Sequence, residues 1–99
     1  MSSDNQAITV LGQVRAKARH EADVRAGLQA LIEPARRESG CISYEMFEDV
    51  EHTGSFYFVE EWESQSALHL HVKRLQPHMN KILPMLSQQL QISVIRPLG

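Results

Sequence analysis

A single cysteine, Cys41, stands in the chain, so no disulfide can close within it. Placed just after Gly40, where an alternating stretch begins, it reads as a small buried hydrophobe. A run of about 18 apolar residues, the length a membrane helix needs, is also missing. The opening Met1 to Gln6 is polar, without the apolar centre of a secretory leader, so a cytoplasmic protein with no membrane association is expected. Positive charge is scarce, with 10 Lys and Arg against 12 Asp and Glu, and no basic stripe is interleaved with aromatics. That excludes the field a phosphate backbone requires, so nucleic acid is not an expected partner. Neither a glycine-rich nucleotide loop, nor a haem-ligand pattern, nor a zinc-type cluster is present; His69 and His71, two apart on a helix, point to opposite sides. No cofactor and no structural metal are therefore expected. The 99 residues suit one domain, 1–99, with 1–6 as a polar tail; such a chain buries roughly two-thirds of its unfolded surface.

What is present gathers around Ser55 to His71. Phe56, Phe58, Glu60 and Trp62 alternate with Tyr57, Val59 and Glu61, the period of a strand, and from Ser64 the pattern becomes helical. Glu60 thus shares an apolar face with two Phe and the only Trp, where a carboxylate is either paired or used in chemistry. Pairing with Arg96 or Arg15 across the sheet competes with a chemical role. On the helix, Leu68, Val72 and Leu75 form a stripe with His71 at its margin.

Around this corner the other elements follow by pattern. Ala7 to Ala18 reads as a strand whose apolar face holds Ile8, Val10, Val14 and Ala16, with Gly12 marking a bulge or a close approach by another group, a ligand included. A helix over 20–39 buries Val24, Leu28, Leu31, Ile32 and Ala35, is loosened by Pro34, and is capped by Gly40. Cys41 to Asp49 is a strand with Ile42, Tyr44 and Met46 on one face, joined through the polar turn 49–54 to the Phe56 strand as a hairpin. The helix from Ser64 should end near Gln76, and Pro77 should open a second helix carrying Met79, Ile82, Leu83, Leu86 and Leu90, kinked or divided at Pro84. Gln91 to Pro97 closes the chain as a β-branched strand.

The order strand, helix, strand, strand, broken helix, strand predicts an α+β, ferredoxin-like split βαβ fold: a four-stranded antiparallel sheet with helices on one face. Leu11, Phe47, Tyr57, Val59 and Ile95 fall on the opposite face, more apolar than a solvated face should be. A homodimer packed sheet against sheet is expected to cover them.

Gly40-Cys41-Ile42-Ser43-Tyr44-Glu45, Phe58-Val59-Glu60-Glu61-Trp62-Glu63-Ser64, Leu68, His71 and Pro77-His78-Met79 together resemble the antibiotic biosynthesis monooxygenase family, and within it the quinol monooxygenases. The likeness runs from Ile8 to Pro97. It implies a dimeric α/β barrel of ferredoxin-like subunits that oxidises quinols or phenolic polyketides with dioxygen, without metal, flavin or haem, in a pocket between sheet and helices. Some members are isomerases or degrade haem; the first strand here lacks the Asn that haem-degrading relatives carry, so haem is not expected.

On this resemblance His71 is the expected base, Glu60 its orienting partner and Trp62 a stacking wall, with Tyr44, Phe56, Phe58 and His78 as substrate-binding residues. For each a packing role is the alternative, and His78 or Glu60 could serve as the base instead. His78, placed in the first turn of a helix, would be kept neutral by the positive helix end. The expected partners are a small aromatic substrate and dioxygen. A dimer that binds an aromatic ligand without turning it over, or an isomerase of the same fold, remains the alternative.

Overall fold

The computed structural model describes residues 6–99; the polar tail therefore lies outside the described residues except for Gln6. Four strands, β1 (Ile8–Arg15), β2 (Cys41–Glu48), β3 (Ser55–Trp62) and β4 (Gln91–Ile95), form one antiparallel sheet in the order β2-β3-β1-β4. Two helices, α1 (Glu21–Arg36) and α2 (Gln65–Ile82), carry the crossings. This is the ferredoxin-like α+β arrangement, with helices gathered on one face. Register fixes that face: Val10 lies opposite Glu60 and Val94, and Gly12 opposite Phe58 and Ile92. Tyr44 pairs with Glu60 and Met46 with Phe58. Val24, Leu28, Leu31 and Ala35 of α1, with Met79 and Ile82 of α2, close the core over it.

Several local expectations are corrected. Gly12 makes no bulge. A Cβ there would stand 1.9 Å from the Phe58 ring, so the missing side chain is where Phe58 lies across β1. The register shift falls instead in β2, between Cys41 and Ser43. The extra residue turns Ile42 away from Tyr44 and Met46, leaving it half exposed. Helix α1 stops at Arg36 with Arg37 as its cap, so Gly40 is not the C-cap. The last turn is loosened as Pro34 predicts, with the Arg37 amide shared between the carbonyls of Glu33 and Pro34 at 3.3 Å each.

Helix α2 is one helix, not two. It runs through Pro77, which is exposed, as is Lys73, whose carbonyl loses its helical donor there and can turn to water. Ser64 caps its start, accepting from the Ala67 amide at 3.1 Å. Pro84 does end it, in a short 3-10 turn Leu83–Met85, which places Leu83 and Leu90 off the helical stripe. Val72, expected in the core, is half exposed, whereas His71 is buried at 2% exposure. Strand β4 is shorter than expected and exposed along its whole length.

The turn 49–54 is held by its own polar groups: Asp49 Oδ1 accepts from the amides of Glu51 (2.8 Å) and His52 (3.2 Å), which hold its carboxyl below the usual range. Just before it, Arg25 of α1 grips Glu48 of β2 through two hydrogen bonds of 2.7 Å, tying helix to sheet. That fork is the main reason the Glu48 carboxyl falls from 4.5 to about 2. A depressed carboxyl stabilises the fold above its ordinary value and loses that contribution as pH falls through the folded one. The stability advantage of the natural protein over Glu48→Gln should therefore shrink between about pH 4.5 and 2, a trend that urea midpoints across this range will check.

Candidate active site

The site is assembled where β3, α2 and the turn after α1 meet. Strand alternation puts Glu60 and Trp62 on the helix-facing side, at 4% and 0% exposure. Trp62 Nε1 donates to Glu60 Oε1 at 2.9 Å. Neither Arg15 nor Arg96 pairs with Glu60; its neighbours are Trp62 and His71, whose Nε2 stands 3.7 Å from the same oxygen. Burial pushes the Glu60 carboxyl up, more than the Trp62 bond and the nearby His71 pull it down.

His71 descends from α2 between two rings. Trp62 lies against it with centroids 4.5 Å apart and planes tilted by 31°, and Tyr44 meets it edge-on at 5.4 Å. Tyr44 is itself buried, and burial is the main force pushing its phenol up, so it remains a hydroxyl. Behind the imidazole, Nδ1 is 2.7 Å from Glu38 Oε2, while Glu38 Oε1 accepts from Arg74 at 3.2 Å. Glu38 thus offers one oxygen to His71 Nδ1 and the other to Arg74. Buried Nε2 has no hydrogen-bond partner among the described residues.

His71 borders a cavity of about 160 Å³ between sheet and helices. Its walls are aliphatic residues of both layers with Met46, Phe58 and Met79, and its polar lining is confined to Tyr44, Glu60 and His71. A second depression of similar volume lies on the outer side of His71, between α1 and α2, and is lined by Glu38, Arg74 and His78. His71 thus stands between the apolar chamber and a cleft that Glu38, Arg74 and His78 share with Leu31, Pro34 and Leu75.

Of the residues expected at the site, Tyr44, Phe58, Glu60 and His71 line the cavity together. Trp62 stacks on His71 and is not part of the cavity wall. Phe56 is on the same face but farther along β3, under the Arg25 guanidinium at 5.7 Å and outside the cavity wall. His78 is exposed in the outer cleft, and because α2 is continuous it stands far from any helix N-terminus. Sequence reasoning missed Glu38. One signal was available: an acid just past a helix end, where the dipole favours cations, needs another reason to be there.

Trp62→Phe would keep an aromatic ring against His71 but strip a buried carboxylate of its donor. It should destabilise the fold by about 1–3 kcal/mol. Urea unfolding followed by circular dichroism will measure the loss.

Comparisons with known proteins agree with this architecture. A family model described as antibiotic biosynthesis monooxygenase matches residues 7–82. The uncharacterized protein sll1783 of Synechocystis is 41% identical over 64 residues, which are 65% of this chain and 44% of that protein's length. Among solved structures, Rv0793 from Mycobacterium tuberculosis superposes with a TM-score of 0.88 at 25% identity, covering 95% of this chain and 97% of its own. A crystal structure of an antibiotic biosynthesis monooxygenase gives 0.87 at 24% identity, over 93% of this chain and 99% of that one. With the family model covering most of its length, the chain belongs to the antibiotic biosynthesis monooxygenase family.

Proposed function

We propose that this protein is a cofactor-independent monooxygenase that oxidises an uncharged quinol or phenolic aromatic with dioxygen, using His71 as the base. The observation that supports the reading is buried His71, whose Nε2 has no hydrogen-bond partner among the described residues, in the wall of an apolar cavity. A dry apolar cavity of about 150 Å³ holds a benzene-sized ring. No Lys or Arg stands among the described residues lining the cavity, and its walls are largely apolar, so carboxylated and phosphorylated substrates are disfavoured. The ring would lie against Phe58 with a hydroxyl directed to the wall of Tyr44, Glu60 and His71.

A phenolic hydroxyl ionises near pH 10 and is a poor electron donor while protonated. Nε2 takes its proton, a step worth about 10²- to 10⁴-fold in rate. The resulting anion passes an electron to dioxygen, and the two radicals join through a new C–O bond as a carbon-bound peroxide. The O–O bond then breaks: one oxygen stays on carbon, and the other leaves as water with two hydrogens from the substrate. Substrate supplies all the electrons, so no external reductant enters. Oxygen uptake with a panel of quinols and anthrones should show turnover that rises with pH as the base loses its proton. In His71→Ala that limb should vanish and the rate fall by about 10²-fold or more. A wild-type protein that binds a quinol yet consumes no oxygen would make the cavity a binding site only.

The open face of the sheet supports a homodimer as part of the same reading. Leu11, Phe47 and Ile95 are each more than 40% exposed there. Two copies packed sheet to sheet would bury them and leave both cavities on the outside. Light scattering at micromolar concentration should give twice the chain mass; a stable monomer would overturn this packing.

A further inference from the structure

We propose that Glu38 is the positioning residue of the His71 base: its carboxylate, steadied by Arg74, accepts from Nδ1 and so keeps the Nε2 lone pair turned to the cavity. The inference rests on the reading of His71 as the base and extends it to a residue outside the cavity.

A neutral imidazole carries one proton, on either nitrogen, and the hydrogen bond made by one nitrogen decides the state of the other. Here the two nitrogens meet different surroundings. Nδ1 has an acceptor at 2.7 Å, and Nε2 has a carboxylate oxygen only at 3.7 Å, beyond hydrogen-bond length. Glu38 is in turn fixed at its second oxygen by Arg74 at 3.2 Å. The ring cannot easily flip to exchange its nitrogens, because Trp62 and Tyr44 pack on it. When Nε2 takes the substrate proton, the imidazolium that forms has a carboxylate already in place at Nδ1, in low-dielectric surroundings where that contact is strongest.

The placement of Glu38 is built into the backbone. Gly40, at φ +88°, lets the turn after α1 pass so close to α2 that a Cβ would stand 2.6 Å from that of Ala67. The Glu63 amide donates to the Gly40 carbonyl at 2.8 Å and locks that approach. The titratable and charged groups facing His71 are then Glu38 from this turn, Glu60 from β3, Tyr44 from β2, and Arg74 and His78 from α2 across the outer cleft. Among them Glu38 alone is within hydrogen-bond distance of the imidazole.

Glu38→Gln tests the role. A carboxamide can turn its NH₂ to Nδ1, which moves the imidazole proton to Nε2 and removes the base; where a carboxylate orients a catalytic histidine, that change costs about 10⁴-fold in turnover. Nitrogen-15 NMR should find the neutral His71 of the natural protein protonated on Nδ1, and in Glu38→Gln protonated wholly or partly on Nε2. With quinol and oxygen, kcat of Glu38→Gln should fall by about 10²- to 10⁴-fold with KM little changed, and Glu38→Asp should recover part of it. A natural protein carrying the proton on Nε2 overturns the proposal, as does Glu38→Gln with unaltered kcat and pH profile. If the natural protein oxidises no quinol, the proposed reaction fails, and the tautomer measurement alone still decides what Glu38 does.

Discussion

The structure depends on one set of polar contacts: buried His71 to Glu38, which Arg74 reaches from the surface, and Trp62 to Glu60 beside them. Three elements meet there, since Glu38 follows α1, His71 sits on α2 and Glu60 on β3. Burying an unpaired carboxylate or imidazole in an apolar core would cost several kcal/mol, so these groups tolerate their depth only while the helices and sheet keep their spacing. The apolar layer around them obeys the same constraint from the other side. Phe58 fits across β1 only because Gly12 has no side chain, and the space left beside it becomes the cavity.

Much of this was legible from residue order. The period-2 run from Phe56 to Trp62 located Glu60 on the core face, and the strands and hairpin turn followed from alternation and glycine placement, although β1 and β4 are shorter than the expected Ala7 to Ala18 and Gln91 to Pro97. The order of elements was enough for the sheet and its helices. What failed did so for tertiary reasons. Pro77 is a helix breaker by propensity, yet its missing hydrogen bond falls on an exposed face and is easily tolerated. A bulge in β2 slipped Ile42 out of a face that simple parity assigned to it. A helical wheel ranks His71 by its apolar neighbours, and it has no means of anticipating that a distant acid offers the imidazole a partner. Pattern reasoning could mark Glu38 as an acid out of place at a helix end but not find its partner, because the contact with His71 spans 33 residues and depends on the backbone of Gly40.

The unpartnered Nε2 remains the feature that packing alone does not explain. A buried donor or acceptor without a partner costs about 1–3 kcal/mol, a sizeable share of the 5–15 kcal/mol that typically separates folded from unfolded domains. Leucine at position 71 would remove that penalty and continue the apolar lining formed by Leu68 and Leu75. The sequence instead places an imidazole there, gives it a carboxylate behind, an indole against its face and an apolar chamber beside it. Each of these adds polar desolvation that a purely structural core avoids. Together they fix the imidazole at one point beside an apolar space, which is the placement that the proposed removal of a proton from a weakly acidic hydroxyl requires.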